Sequence, residues 1–369
     1  MNIPFVDLKA QYRSIKKDID GAIKNVLLET AFIGGKYVVK FKDEFAASYG
    51  VKHCVPVANG TDAIYIIMKM LGIGDGDEVI TVANSWISTS ETISQTGAKP
   101  VFVDADEYFT IDVSQIESKI TSRTKAIIPV HLYGQMADID AIEKICKKHK
   151  LHLIEDCAQS HFSEQNGIRA GLRGIASTFS FFPGKNLGAY GDAGAIITND
   201  DALAEKMRMF ANHGALIKHT HIIEGINSRL DGLQAAILSA KLPYILEWTA
   251  KRAACAAYYD NILSGIPNIE LPKLRPNTKH SYHLYVIKAE KRDELAAYLK
   301  EKGIETAIHY PIPLPFMEAY KYLGHTRADF PVVAKNQGEI LSIPIFPELT
   351  QRQQNYVANT IKRFYKQNK

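Results

Sequence analysis

The stretch that decides the fold class runs from His53 to Ala83 and reads HCVPVANGTDAIYIIMKMLGIGDGDEVITVA. Its first segment, HCVPVANG, is a short apolar run that ends in a turn, which predicts a strand. The next segment, TDAIYIIMKML, predicts a helix, and DEVITVA predicts a second strand. A strand, a helix and a strand in succession are typical of a parallel sheet with helices on its faces.

The same alternation continues to about residue 240. Further strands are predicted in KPVFVDAD, KAIIPVHLYG, LHLIEDCA, STFSFF and GAIITN, and helices in SWISTSETISQTG, DIDAIEKICKKHK and DALAEKMRMFANHG. Because buried strands alternate with helices, we expect an α/β fold with a mostly parallel sheet that is covered on both faces.

The rest of the chain is predicted to form a smaller α/β domain. A long helix, LDGLQAAILSAKLPYILEWTAKRAACAAYYDNILSG, is followed by a strand in HSYHLYVIKA, a helix in RDELAAYLKEKG and a strand in IETAIHYPIP. We therefore divide the chain into a large domain at residues 1–245, which includes the N-terminal segment, and a small C-terminal domain at residues 246–369.

Composition excludes several classes of protein. The 369 residues are 46% hydrophobic, and 44 basic and 40 acidic side chains give a net charge of +4, too balanced to predict a nucleic-acid partner. The N-terminus lacks the apolar region of a signal peptide, and no apolar run reaches membrane-spanning length, so we expect no membrane partner. The cysteines form no CxxC pair, which predicts a reduced, cytoplasmic protein.

One lysine stands in an unusual context. Lys185 lies in SFFPGKNLGAYGDAGAI (Ser180–Ile196), between a strand end and a glycine-rich stretch. A P-loop lysine requires a glycine five residues before Gly184 and a serine or threonine after the lysine, but these positions hold Phe179 and Asn186. The phosphate-binding role of a P-loop lysine is therefore excluded for Lys185.

A turn near the start of the chain is a candidate phosphate site. Gly60 and Thr61 lie in ANGTDAI, between a predicted strand and a predicted helix. Free N–H groups and the helix dipole at such a position suit a phosphate. On this stretch alone an ordinary helix capped by Asn59 or Thr61 is the favoured interpretation.

The segment LHLIEDCAQSH has polar residues that suggest a metal site. On a strand, however, His152 and Asp156 lie about 13 Å apart at roughly 3.3 Å per residue, so they do not share one ion, and we predict no metal. Asp156 stands at the carboxyl end of its strand, where open α/β sheets place their ligands. A carboxylate there either pairs with a buried cation or caps a helix.

Taken together, these residues match what pyridoxal phosphate needs from a protein. Its aldehyde forms a Schiff base with a lysine, its pyridine nitrogen needs a carboxylate partner, and its phosphate needs N–H and hydroxyl donors. An aromatic side chain should cover the ring, and Trp86 in ANSWIST is the candidate, with core packing as the alternative. The other groups are supplied by Gly60, Thr61, Asp156, Ser180 and Lys185.

At this point the sequence resembles the DegT/DnrJ/EryC1/StrS sugar aminotransferases, which are fold-type-I, aspartate aminotransferase-like enzymes that use pyridoxal phosphate. The resemblance covers nearly the whole chain, in NGTDAI, PVHLYGQMADID, IEDCAQSH, FSFFPGKNLGAYGDAGAI, NHG, GINSRLDGLQAAIL, IHYPIPL and LSIPIFPELT. It implies that fold, that cofactor, and a homodimer with both active sites at its interface.

The resemblance also implies roles for single residues. Lys185 matches the catalytic lysine that carries the cofactor and shuttles a proton, and Asp156 matches the partner of the pyridine nitrogen. Gln159 matches a side chain beside the ring and its phenolic oxygen, and Trp86 the ring-stacking position. Asn227 matches an asparagine that reaches the phosphate of the neighbouring subunit. Phosphate contacts are matched by Gly60, Thr61 and Ser180.

The implied reaction moves an amino group from L-glutamate to a nucleotide-linked keto-sugar, as in the biosynthesis of deoxyamino sugars for O-antigens and other polysaccharides. The segment NHGALIKHTHIIEGINSRLDGLQAAIL resembles the branch that acts at C3 of dTDP-3-keto-6-deoxyhexoses. We expect Lys218 or His219 to meet the pyrophosphate, and His309 and Tyr310 to line the hexose pocket.

Three alternatives remain open from sequence. The first is a C4 aminotransferase acting on a UDP- or dTDP-linked 4-keto sugar, which the shared motifs do not exclude. The second is a sugar dehydratase of the same fold, but such relatives replace the lysine with histidine, and Lys185 is present. The third is a non-catalytic regulator that senses metabolites through the cofactor, for which we find no DNA-binding segment.

Overall fold

A computed structural model describes residues 1–367. In chain order its α-helices are α1 (Leu8–Ser14), α2 (Lys16–Glu29), α3 (Gly35–Tyr49), α4 (Gly60–Met70), α5 (Ser88–Thr96), α6 (Val113–Ile116), α7 (Ile139–His149), α8 (Asp201–Ala211), α9 (Gly232–Lys241), α10 (Ile245–Leu263), α11 (Arg292–Glu301), α12 (Pro331–Glu339) and α13 (Gln351–Gln367). The strands are β1 (His53–Val57), β2 (Glu78–Val82), β3 (Lys99–Val103), β4 (Thr124–Ile128), β5 (His152–Asp156), β6 (Glu164–Gln165), β7 (Ile168–Arg169), β8 (Ala176–Ser180), β9 (Gly194–Thr198), β10 (Ile269–Glu270), β11 (Thr278–Lys279), β12 (Tyr285–Ala289) and β13 (Ile340–Ile343).

A seven-stranded sheet forms the centre of the molecule, in the order β1-β9-β8-β5-β4-β2-β3. Only β9 runs antiparallel to its neighbours β1 and β8, and the other pairings within the sheet are parallel. Every residue of β2 and β9 is buried, as expected for strands covered on both faces. The predicted mostly parallel α/β sheet is therefore confirmed, with the strands and helices predicted between residues 53 and 211.

Three helices precede this sheet and were not predicted, since no element was assigned before residue 50. The third of them, α3, brings two aromatic side chains to the end of β8. The rings of Phe41 and Phe45 each lie 5.3 Å from the ring of Phe181, which follows β8 directly. This aromatic cluster is buried and fixes the chain where it leaves the sheet toward Lys185.

The C-terminal part forms a second, antiparallel sheet in the order β10-β12-β13. It confirms the predicted strand in HSYHLYVIKA and the predicted helix in RDELAAYLKEKG. A small third sheet, β11-β6-β7, joins this part of the chain to the segment after β5. The domain division at residue 245 stays a prediction, because β11 pairs with a strand of the first block.

Two predictions for the C-terminal part are wrong. The long helix is two helices, α9 and α10, separated by a 3-10 turn at Leu242–Tyr244, where Pro243 has no N–H to continue the α-helical bonding. The segment IETAIHYPIP makes only isolated bridges and is no strand, since Pro311 and Pro313 have no donor for a ladder. The place beside β12 is taken by β13, which lies in LSIPIFPELT.

The helices can be compared with the length and apolar character that a membrane span requires. None of the helices within residues 1–367 is both long and apolar enough to cross a bilayer.

Candidate active site

Several of the predicted site residues meet at one edge of the central sheet. Asp156 ends β5 and Ser180 ends β8, while Gly60 begins the helix that follows β1. These three strands point the same way, so their carboxyl ends lie at the same edge. Open α/β sheets bind ligands at this edge, which sequence patterns already indicated for Asp156.

The start of α4 forms a cradle for an anion, made of Gly60, Thr61 and Ser180. Asn59 caps the helix, since its side-chain oxygen accepts the N–H of Asp62 at 2.8 Å. The N–H groups of Gly60 and Thr61 have no acceptor among residues 1–367. Two free donors at the N-terminus of a helix of eleven residues are an electrostatically favourable place for a phosphate.

The two sides of this cradle are in direct contact. A Cβ atom placed on Gly60 would lie 2.8 Å from the Cβ of Ser180, too close for any residue larger than glycine. The hydroxyl of Thr61 lies 2.6 Å from that of Ser88. The cap is therefore Asn59, and the hydroxyls of Thr61 and Ser180 remain beside the free N–H groups.

Asp156 is held as a buried acceptor. Its carboxylate accepts the hydroxyl of Thr89 at 3.0 Å and the N–H of Ala158 at 3.1 Å. Burial raises the pKa of this carboxyl group, and the two donors and the charge of Lys185 oppose that rise. A buried carboxylate of this kind is stabilised by a cationic partner such as a protonated ring nitrogen.

Gln159 has a fixed orientation between two tyrosines. Its side-chain oxygen accepts the N–H of Tyr133 at 2.7 Å, and its amide group donates to the hydroxyl of Tyr310 at 2.9 Å. Gln159 was predicted beside the cofactor and Tyr310 in the hexose pocket. The hydrogen bond between them joins these two predicted groups into one site.

Lys185 lies in a tight turn and its amine has no partner among the residues described. Its own N–H donates to the carbonyl of Phe182 at 2.8 Å, which closes the turn. The side chain is half-buried, and desolvation lowers its pKa from 10.5 to about 8, against the attraction of the Asp156 carboxylate. A substantial fraction of the amine is therefore neutral close to physiological pH, as a base or a nucleophile must be.

Three histidines are affected by the charge of Lys185, and sequence reasoning assigned only one of them to the site. Burial, and to a smaller extent the charge of Lys185, lowers the pKa of His161 to about 3, of His309 to about 4, and of His283 well below its ordinary value. All three are uncharged at neutral pH. His283 was missed because it comes from a distant segment with no motif of its own.

His161 lies in LHLIEDCAQSH, the segment whose polar residues suggested a metal site, but its neighbours are aromatic rings. The imidazole is fully buried between Phe179 and Phe181, with ring centroids 5.5 and 5.7 Å away. Neither ring nitrogen has a hydrogen-bond partner in the described part of the chain. An orphaned polar ring beside Lys185 fits a site that is completed by a bound group.

The outer side chains are more exposed. Trp86 is 58% exposed and its ring lies 5.6 Å from that of Tyr310, so its ring-covering role stays a prediction. His309 bonds to the hydroxyl of Ser342 at 2.8 Å through its Nδ1, and its carbonyl accepts the hydroxyl of Tyr133. The structure does not bring three predicted residues into contact with this group: Lys218, His219 and Asn227, which are exposed on residues 212–230.

A buried cluster nearby has the composition of a metal site but not the free ligands. His131, Glu155 and Cys157 place their ligand atoms within 4.8 Å of one another. The Nδ1 of His131 accepts the N–H of Ala137 at 3.1 Å, so Nε2 carries the proton and donates to Glu155 at 2.9 Å. Glu155 also accepts the N–H groups of Gly171 and Gly174. We interpret this cluster as a structural anchor.

The residues present fit pyridoxal phosphate. The cradle offers unpaired N–H groups and hydroxyls for a phosphate, Asp156 offers an anion for a ring nitrogen, and Lys185 offers an unpaired amine. When bound, the cofactor supplies a carbonyl for the amine and a ring that accepts electrons from the reacting carbon.

Comparison with known proteins identifies relatives along nearly the full chain. The model of the "DegT/DnrJ/EryC1/StrS aminotransferase family" matches residues 13–362. A pleiotropic regulatory protein of Geobacillus stearothermophilus is 47% identical over 99% of both chains. A UDP-2-acetamido-2-deoxy-3-oxo-D-glucuronate aminotransferase of Pseudomonas aeruginosa is 44% identical over 94% of this chain and 96% of its own. A dTDP-3-amino-3,6-dideoxy-alpha-D-galactopyranose transaminase of Aneurinibacillus thermoaerophilus is 43% identical over 98% and 99%.

The fold is also shared with a solved structure. The crystal structure of Streptomyces venezuelae DesV in complex with a ketimine intermediate superposes with a TM-score of 0.96, at 40% identity, over 98% of both chains.

The contact between Gly60 and Ser180 predicts the effect of one added methyl group. We expect Gly60→Ala to weaken the binding of pyridoxal phosphate at least about 10-fold, because the cradle must widen to accept the new Cβ. Gly21→Ala is the control, since a Cβ at that helical glycine meets nothing within 4 Å. Absorbance titration of the cofactor-free proteins measures both affinities. Equal affinities would contradict the assignment of the phosphate to the cradle of Gly60, Thr61 and Ser180.

The lowered pKa of Lys185 predicts its reactivity in the cofactor-free protein. Because the neutral amine is the reactive form, we expect trace acetylation of Lys185 to be half-maximal near pH 8, where the lysine pKa lies. Mass spectrometry of peptides labelled across pH 6 to 11 measures the profile, with the exposed lysines as internal references. Half-maximal labelling of Lys185 above pH 10 would show that burial does not lower the pKa of its amine.

Proposed function

Because the chain belongs to the DegT/DnrJ/EryC1/StrS aminotransferase family, we propose that it transfers the amino group of L-glutamate to C3 of a dTDP-3-keto-6-deoxyhexose. The product is a dTDP-3-amino-3,6-dideoxyhexose. The broader activity, that of a pyridoxal phosphate-dependent nucleotide-sugar aminotransferase, follows from the family and its named transaminases. The observation that carries the proposal is the unpaired, desolvated amine of Lys185 beside the buried carboxylate of Asp156.

Each residue of the site has a role in this proposal. Gly60, Thr61 and Ser180 bind the cofactor phosphate, Asp156 keeps the pyridine nitrogen protonated, and Gln159 orients the ring edge. Lys185 would hold the cofactor through its carbonyl in the resting enzyme. When the amine is free, its Nζ would carry a proton between the substrate carbon and the cofactor carbon, which a pKa of about 8 permits near neutrality.

Position C3 is supported by the names of two relatives. The Pseudomonas aeruginosa relative is named for a 3-oxo sugar, and the Aneurinibacillus thermoaerophilus relative for a 3-amino sugar. These two differ in their nucleotide and in the group at C6, at nearly equal identity to this chain. The choice of a dTDP-linked 6-deoxyhexose therefore depends on the residues of the site.

The surroundings of Lys185 suit a methyl group at C6 better than a carboxylate. His161, His283 and His309 are held neutral by burial, and Tyr310 and Trp86 are uncharged. None of these five side chains offers a cation to a sugar carboxylate, which would lose hydration among them. In this proposal His309 and Tyr310 contact the hexose, while Lys218 or His219 meets the pyrophosphate.

A homodimer is part of the proposal. Apolar side chains are exposed on α2, on the turn after it and on residues 212–230, among them Leu28, Ile33 and Ile217 at 72%, 59% and 72% exposure. These elements adjoin α9, because Ile33 bridges to Asp231 and residues 212–230 lead into that helix. Exposed apolar side chains concentrated in this way favour a protein interface. The interface would bring Asn227 of one subunit to the phosphate site of the other.

The substrate is tested with the purified enzyme in its amino-loaded form. We expect 3-keto dTDP-6-deoxyhexoses to restore the visible absorbance of the aldehyde form of the cofactor, and 4-keto nucleotide sugars to leave it unchanged. UDP-2-acetamido-3-oxo-glucuronate, the alternative suggested by the 44%-identical relative, belongs in the same panel. Restoration by 4-keto sugars alone would move the enzyme to the C4 branch.

The preceding half-reaction separates an enzyme from a sensor. The 47%-identical relative is named a pleiotropic regulatory protein, so loading with L-glutamate is measured first. We expect loading within the assay time by the wild type and none by Lys185→Ala with unchanged circular dichroism. Turnover by Lys185→Ala would overturn the assigned role of the lysine. The cytoplasmic location stays a prediction.

Shared active sites are tested by mixing two inactive variants. Lys185→Ala removes the amine, and Asn227→Asp places a negative charge against the phosphate. If Asn227 acts across the interface, randomly mixed subunits regain about one quarter of the activity, because half of the dimers are mixed and each has one intact site. No regained activity would assign Asn227 to its own subunit, where its neighbour Ser228 contacts Asp62 of α4 at 2.6 Å.

A further inference from the structure

A second lysine near the site is more deeply buried than Lys185. Lys241 ends α9 and is fully buried, and its Nζ donates to the carbonyl of Gly188 at 2.7 Å. The ammonium also lies 4.3 Å from the centre of the Tyr190 ring. Within residues 1–367 no carboxylate pairs with it, and burial lowers its pKa to about 8.

Stability does not account for a lysine at this position. A buried cation without a carboxylate loses its hydration and recovers only one hydrogen bond and a cation–π contact. A methionine would fill the same volume without that cost. The residue therefore weakens the fold relative to an apolar side chain, which points to a role in the activity.

The acceptor of Lys241 belongs to the loop that carries Lys185. The two ends of this loop, residues 181–189, are hydrogen-bonded to each other, since the N–H of Ala189 donates to the carbonyl of Phe181 at 2.7 Å. A Cβ on Gly188 would lie 2.3 Å from the carbonyl oxygen of Pro183, so the returning arm packs on the first turn of the loop. Holding Gly188 in place therefore also restrains the parts of the loop before and after Lys185.

The same face of α9 contacts the loop's continuation at a second point. Gln234 stands two helical turns before Lys241, and its side-chain oxygen accepts the N–H of Tyr190 at 2.8 Å. Side chains two turns apart lie on one face of a helix. The helix thus holds the chain after Lys185 through two side chains, of which only Lys241 reaches into the loop itself.

We propose that Lys241 is a positioning residue, which holds the Gly188 carbonyl and thereby keeps the Lys185 amine directed toward the site. The inference rests on the role of Lys185 proposed above and assigns a second lysine to it. Lys241 makes no contact with the reacting atoms in this proposal. Its ammonium acts through the backbone of the loop.

The test compares three variants of the full chain. Lys241→Met removes the charge and the donor, and Lys241→Arg keeps both. Lys251→Met is the matched control, since Lys251 lies on the next helix, is exposed, and pairs with Glu247. Hydrogen exchange in the cofactor-free proteins reports the loop through the amides of Lys185 and Ala189, which are bonded within it.

For Lys241→Met we expect a melting temperature equal to or above that of the wild type, because a desolvated charge is removed. The amides of Lys185 and Ala189 should exchange at least about 10-fold faster, and kcat should fall at least about 10-fold, as for a misplaced catalytic group. Lys241→Arg should keep most of the wild-type kcat. Lys251→Met should match the wild type in all three measurements.

A purely structural lysine gives a different result. A lower melting temperature of Lys241→Met with unchanged exchange in the loop and unchanged kcat per folded enzyme would overturn the proposal, as would wild-type behaviour throughout. Because the exchange measurement uses cofactor-free protein, it does not depend on the proposed substrate. Turnover by Lys185→Ala would instead refute the proposed function, whatever the loop of Lys241→Met does.

Discussion

The attraction between the buried carboxylate of Asp156 and the amine of Lys185 is the interaction on which the site depends. Burial raises the pKa of the acid and lowers the pKa of the amine, because each charged form loses its hydration. Their mutual attraction opposes both shifts. The balance leaves an anion fit to hold a cationic ring and an amine that changes its charge near neutral pH.

The fold supplies the rigidity that this balance requires. Asp156 and Ser180 end neighbouring parallel strands, so their separation is set by the sheet. The chain beyond Ser180 is fixed on one side by the aromatic cluster of Phe41, Phe45 and Phe181. On the other side it is held by Gln234 and Lys241 of α9. A charge pair in a low-dielectric site is sensitive to small displacements, and these contacts restrain the loop that carries the lysine.

The outer part of the site differs in character from this inner part. Trp86, Ile217 and the neighbouring apolar side chains are exposed in a single chain, whereas Asp156 and Gln159 are buried. In the proposed function, the inner residues hold the cofactor through backbone groups and fixed side chains. In the same proposal, the outer residues face a second subunit and the sugar, which accounts for the exposure of Lys218 and His219 in a single chain.

The sequence by itself determined the α/β class, because apolar strands alternating with helices are a local pattern. It also predicted the cofactor-facing residues, from a glycine at a strand-to-helix turn, an acid at a strand end and a lysine in a family motif. It could not determine that Gly60 must be glycine to accommodate Ser180, or that His283 lies near Lys185, because those contacts join segments far apart in the chain. The predictions of a continuous helix across Pro243 and of a strand in IETAIHYPIP were wrong. The side-chain patterns favoured a helix and a strand there, but proline lacks the N–H group that both structures need. Only the tertiary structure decided the charge of each buried group, since desolvation depends on what surrounds a side chain in space, and only it showed that Lys241 reaches the loop of Lys185.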